Sequence, residues 1–194
     1  MRTLQGIIIE LNLLIVIVLY LSQIETYASE PPDGPNHQFI GVIKCKMCHK
    51  KEKKGFQYEI WVESAHSKAY ESLATPEAKE LGEKYGVNNP QEDSKCLRCH
   101  TTGHDAPPSL KGRKYNITEG VGCESCHGAG GNYYKSKVMK GISNGSIDPR
   151  SVGLIIPNED TCKECHNAEG PMPMKEEFNF KEMWAEIAHP IPEG

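Results

Sequence analysis

Eight cysteines and eight histidines stand in this 194-residue chain, and their placement narrows the chemistry at once. The cysteines fall into four frames of one form: Cys45-Lys46-Met47-Cys48-His49, Cys96-Leu97-Arg98-Cys99-His100, Cys123-Glu124-Ser125-Cys126-His127 and Cys162-Lys163-Glu164-Cys165-His166. C-x-x-C-H is the attachment site of c-type haem. Two thiols separated by two residues reach the two vinyl groups as thioethers, and the adjacent histidine is held beneath the iron. Two C-x-x-C pairs can also make a tetrahedral zinc cage, and one pair can be a redox dithiol. Neither explains a histidine directly after all four pairs, and no cysteine is left over for a disulfide framework. The frames predict four covalent haems c. Cys45, Cys48, Cys96, Cys99, Cys123, Cys126, Cys162 and Cys165 would be the thioether donors, and His49, His100, His127 and His166 the proximal iron ligands.

The ligand on the far side of each iron decides what the haem can do. Two strong ligands make a low-spin iron suited to electron transfer, whereas an empty sixth position admits a small molecule. Four histidines lie outside the frames: His37, His66, His104 and His189. His104 is four residues beyond His100, a poor separation for reaching the far side of the same haem. His37 sits in a proline-rich leader, where it reads as solvated. His66 shares a predicted helix with Trp61 and Ala65, and His189 ends a predicted helix ahead of Pro190. On the residues alone, each of these two is as readily a surface or capping histidine as a ligand.

The elements that must position these groups are short. Gln57 to Leu73 predicts a helix, with Ile60, Trp61, Ala65, Ala69 and Leu73 near one face. A second helix starts with Thr75 as N-cap and Pro76 at its first position and stops near Gly86. Lys135 to Ile142 predicts another, and Phe180 to Ala188 a last one, capped by Asn179 and ended by Pro190. Strand-type alternation is scarce. Gly120, Gly122, Gly128, Gly130 and Gly131 bracket the third frame, which suits backbone lying close to a flat ring or a flexible loop. The frames recur at intervals of 51, 27 and 39 residues, too uneven for a stacked repeat array. With residues 1–28 removed as an export signal, about 41 residues per haem remain, and no conventional core can surround each site. The expected fold is mainly α with extensive loops, its short helices wrapped around a core of four haems.

The N-terminus reads as an export signal over residues 1–28: Arg2, an apolar run from Leu13 to Leu21, and a small-residue cleavage site ending at Ala28. The 18 residues from Ile7 to Ile24 make an uncleaved membrane anchor the alternative. Residues 29–38 read as an extended leader and 39–194 as the haem-binding domain. Export makes the expected location periplasmic or extracellular. The formal net charge is −4, and −3 without Arg2, Glu10 and Glu25. That balance gives no support for nucleic-acid binding, which wants a basic face, and permits a basic docking partner.

The residues carrying a family resemblance are Cys45 to Lys50, Trp61, and Ser64-Ala65-His66-Ser67-Lys68-Ala69 ending in Glu71-Ser72-Leu73. They continue with Cys96 to His100, Gly120-Val121-Gly122 with the third frame and Gly128, the fourth frame, and Phe178 to His189. In these the chain resembles the tetrahaem cytochrome c-554 family, named for the electron carrier that serves hydroxylamine oxidoreductase in ammonia-oxidising bacteria. The resemblance implies that His66 ligates the fourth haem, held by His166, and His189 the third, held by His127. It implies a five-coordinate second haem at His100. It breaks at the first haem, where the family's distal histidine is replaced by Lys137. Met139, Lys137 and His37 are rivals for that iron, with Met139 ranked first; the ordinary role of a methionine there is packing.

The leading expectation is an electron-transfer protein with redox partner proteins, not an enzyme. The alternatives are reduction of a small nitrogen oxide or peroxide at the open His100 iron, with His104 as proton donor, and a subunit of a multihaem filament or membrane electron-transfer chain. In that last case His37 or His104 would ligate a neighbour's haem.

Overall fold

The computed structural model describes residues 37–167, 178–189 and 191. The expected signal segment and all of the leader except its last two residues lie outside them, as does Pro190. Within them the chain forms nine short α-helices: α1 Val42–His49, α2 Gln57–Glu63, α3 Ala69–Ser72, α4 Pro76–Lys84, α5 Ser94–His100, α6 Cys123–His127, α7 Ser136–Ser143, α8 Glu159–Lys163 and α9 Phe180–Ile187. Single 3₁₀ turns and loops join them. The one β-contact among the described residues is a parallel bridge from Phe39 to Lys111. The fold is mainly helical with extensive loops, as expected. No helix among the described residues is long and apolar enough to cross a membrane.

Local capping explains several boundaries. Thr75 accepts from Ala78 N at 3.2 Å, and Pro76 occupies the first position of α4, where its missing N–H costs nothing. Asn179 caps α9 by accepting from Glu182 N. Asn158 and Thr161 form a reciprocal capping box at the start of α8. Gln57 to Leu73 departs from expectation, being three pieces and not one helix. Ser64 is extended and its hydroxyl donates to Trp61 O at 2.7 Å. The Ser67 hydroxyl donates to Val62 O and Ser64 O at 2.8 and 2.9 Å. Serine hydroxyls that take up backbone carbonyls compete with the helical ladder, and here they end it.

The protein core is small. Leu73, Val87, Cys96 and Leu97 form one buried cluster, with Tyr70 and Ile117 packed against it. Pro90 is buried as well, and Ile40, Val42 and Tyr133 are the other buried apolar residues. Near them a carboxylate knots the chain: Glu124, 4% exposed, accepts from Ile40 N, Gly41 N and Gly130 N at 2.7–2.9 Å. Glu119 accepts from Val42 N at 2.9 Å. His37 and Gln38, placed by the sequence at the end of a free leader, are anchored. Gln38 accepts from Gly131 N at 3.0 Å and donates to Ser109 O, and the His37 ring packs on Gly153.

The glycines around the third frame serve the chain's own packing. Gly120 has φ 72°, and a Cβ there would come within 2.6 Å of His66 O; at Gly128, φ 76°, it would meet Gly153 O at 2.7 Å. What bars a side chain at these two positions is backbone, where the sequence suggested a flat ring.

Candidate haem sites

In each frame a helical turn positions the reacting atoms. Residues i, i+3 and i+4 of a helix share one face, so the two thiols and the histidine of C-x-x-C-H project together. Three frames lie wholly on α1, α5 and α6, and the fourth runs through α8 into the turn after it. The frames are not scattered. The Cys45 and Cys123 thiols are close enough to perturb each other, which raises Cys45 and lowers Cys123, and α1 packs on α6. The neighbouring Cys165 thiol pulls Cys99 down to about 6 and rises in turn, and Cys165 Sγ lies 3.9 Å from Arg98 O in the second frame. Burial pushes Cys126 up to about 11, with Cys162 adding to the rise. The first frame therefore neighbours the third, the second neighbours the fourth, and Cys126 of the third lies within electrostatic reach of Cys162 of the fourth.

Four histidines have the same nitrogen engaged. Nδ1 of His49 is bonded to the Gln57 side-chain carbonyl. Nδ1 of His100 lies 2.8 Å from Ala69 O and 3.4 Å from the Ser72 hydroxyl. Nδ1 of His127 lies 3.1 Å from Ile155 O, and that of His189 lies 2.7 Å from Ile187 O. A carbonyl can only accept, so Nδ1 carries the hydrogen and the lone pair is left on Nε2, the tautomer and orientation a metal ligand needs. Burial holds His66, His127 and His166 below the usual imidazole value, which keeps them neutral.

Two histidine pairs face each other across the fold. The ring centroids of His66 and His166 are 6.0 Å apart, and those of His127 and His189 are 5.9 Å apart. The His66–His166 pair is steadied by stacking of His166 on Phe178, 5.1 Å between centroids, in an aromatic series that runs through Phe180 to Trp184 on α9. The break at Ser64 serves the same site. Val121 ties both sides of it: His66 O, after the break, accepts from Val121 N at 3.0 Å, and Trp61 Nε1, before it, donates to Val121 O at 2.8 Å.

The scan against family models matches residues 44–128 to the family described as "Cytochrome c554 and c-prime". Among curated proteins, cytochrome c-554 of Nitrosomonas europaea is 34% identical over 145 residues, 68% of this chain and 59% of that protein. The chain belongs to the cytochrome c-554 family. It spans about 59% of the length of the curated relative it matches. No solved structure matches it.

Membership of the c-554 family implies covalently bound haem c, and the donor set can be tested for fit. An iron between two imidazoles binds each nitrogen at about 2 Å, and a ring centroid lies about 1 Å behind its nitrogen, so two axial rings stand about 6 Å apart. Both observed pairs have that spacing. Among the described residues no three His, Cys, Asp or Glu side chains converge as a metal cage; the histidines approach in twos. The residues present fit haem.

The other expected site residues fall as follows. Met139 is half-buried and Lys137 exposed, both on α7. The His104 ring is 3.9 Å from Asp105. Gln57, Glu119, Glu124 and the carbonyls of Ala69, Ile155 and Ile187 were not singled out from the sequence. The carbonyls leave no trace in residue identity. Glu124 left one, an acid inside a frame bracketed by glycines.

Proposed function

We propose that this chain is an exported electron carrier that binds four haems c at its four C-x-x-C-H frames and passes electrons between redox partner proteins. The observation that carries the reading is the pair of facing imidazoles, His66 with His166 and His127 with His189, at the separation that axial ligands of one iron require. Bound haem supplies a one-electron centre, and two strong ligands keep it low-spin in both oxidation states. The chain's residues do the rest. His127 and His189 are oriented by carbonyls on Nδ1, burial keeps His66, His127 and His166 neutral, and the frames adjoin in the order first, third, fourth, second. That order is a route for electrons. With so small an apolar core, the four haems would supply most of what the short helices pack against.

Mass measurement of the denatured protein tests the haem count: four haems are expected to stay bound, and their loss on acid–acetone extraction would overturn the reading. His66→Ala and His189→Ala should each convert one haem from low to high spin while all four remain attached. Unchanged spectra in both variants would remove these residues as ligands. The same spectra read the two remaining irons. A near-infrared sulfur-to-iron band lost in Met139→Leu marks Met139 on the His49 iron, a change in Lys137→Ala marks Lys137, and cyanide taken up first at the His100 haem marks an open position there.

A further inference from the structure

The mild net charge of the chain hides a segregated one. Six of its 22 basic residues and one of its 26 acidic residues fall between Ile43 and Lys54, so this stretch carries +5 and the rest of the chain −9. The stretch holds the first frame. Lys50, Lys51, Lys53 and Lys54 are exposed directly after His49. Lys46 is half-buried, its ammonium 4.5 Å above the Tyr58 ring. The loop that presents the exposed lysines is ordered by its own backbone: Lys54 N donates to Lys51 O at 2.9 Å, Gly55 N to Glu52 O at 2.7 Å and Phe56 N to Lys51 O at 3.3 Å.

Apolar groups lie among these charges. Ile43 and Met47, four residues apart on one face of α1, are 46% and 65% exposed. Phe56 is 44% exposed and has φ 49°, the only positive value at a non-glycine among the described residues. Such a conformation persists where surrounding structure imposes it. Cys48 is the one exposed cysteine of the eight. An apolar centre inside a charged rim is the layout of a protein interface, and this one contains a sulfur of a redox site.

We propose that the face of the first frame is the docking surface for an acidic electron-transfer protein, one whose own redox centre opens through a patch of carboxylates. The proposal rests on the electron-carrier reading and adds the partner's chemistry. The rest of the chain carries a net −9, so this +5 stretch is where an acidic partner is drawn and oriented most strongly. Steering of this kind changes association rates by ~10- to 1,000-fold and fades at high salt. A polyanion without a redox centre would gain nothing from the exposed frame residue Cys48, which favours a redox protein over a nucleic acid or an anionic lipid surface.

The test follows oxidation of the fully reduced holoprotein in stopped flow by two probes: plastocyanin, an acidic blue-copper protein, and the small cation tris(phenanthroline)cobalt(III). Lys50→Gln/Lys51→Gln/Lys53→Gln/Lys54→Gln is compared with a control carrying the same charge change on other exposed lysines, Lys79→Gln/Lys84→Gln/Lys135→Gln/Lys140→Gln. At low salt the first variant should react with plastocyanin about tenfold more slowly, the control less than threefold more slowly, and neither should slow with the cobalt complex. The difference should vanish at high ionic strength. Equal slowing of both variants, or of neither, overturns the proposal, as does loss of binding to anionic lipid vesicles with electron transfer unchanged. If the first variant does not assemble with haem, the pairs Lys50/Lys51 and Lys53/Lys54 are measured separately. Failure of the unmodified protein to give electrons to either probe would instead refute the electron-carrier reading.

Discussion

Glu124 is the most constrained side chain of the third frame. It is nearly inaccessible, three backbone N–H groups point at it, and Glu119 is close enough to raise it further. Burial is the largest influence and pushes the carboxyl above its usual 4.5, the three hydrogen bonds opposing the rise. The folded state therefore holds this proton more tightly than the unfolded chain. Stability rises as pH falls through the window just above 4.5, and the cost of the buried charge persists at neutral pH. A negative charge beside the first and third frames favours ferric over ferrous iron, so protonation raises the potential. Glu124→Gln should raise the potentials of the haems at His49 and His127 and flatten their pH dependence in that window, read by spectroelectrochemistry at several pH values. Glu124→Ala, which leaves N–H groups unsatisfied, should cost about 2–4 kcal/mol in denaturant unfolding. An unchanged potential in the glutamine variant would reduce Glu124 to a structural knot. The sequence pointed to neither role, because what makes this glutamate special is contributed by Ile40 and Gly41, more than 80 positions away.

At the scale of elements, α4 and α9 were legible because their caps are local. Thr75-Pro76 and Asn179 announce a helix start in the residues themselves. The stretch from Gln57 to Leu73 was not legible. Its apolar spacing is helical throughout, and only the hydroxyls of Ser64 and Ser67 end the ladder. The break sets His66 against His166, and the next turn offers Ala69 O and Ser72 to His100. Ser64→Ala/Ser67→Ala, in which alanine favours an unbroken helix, should swing His66 away. The expected result is one haem converted to high spin with the haem count intact, measured by electron paramagnetic resonance. An unaltered spectrum would mean that the Val121 bond to His66 O holds the break without the serines. The facing of His66 and His189 toward their partners entered the sequence reading through family resemblance alone. Spacing by itself left both as surface or capping histidines, because the partner of each lies far away in the chain.

For the whole molecule, the decisive quantity is how little apolar surface the polypeptide buries by itself: seven hydrophobic residues and Pro90 across the described chain. Against the roughly 1–2 kcal/mol of backbone entropy that each ordered residue costs, such a core does not hold a fold. A chain with the eight frame cysteines replaced by alanine should lack cooperative thermal unfolding and show little helical circular dichroism, whereas the haem-loaded protein melts cooperatively. A well-folded alanine chain would contradict the view that haems fill the interior.

That small core also carries a meaning for the living cell. A polypeptide that becomes compact only after receiving its prosthetic groups is a substrate for housekeeping proteases until it has them. Its abundance then follows the supply of iron and the capacity of the attachment machinery, with no dedicated regulator required.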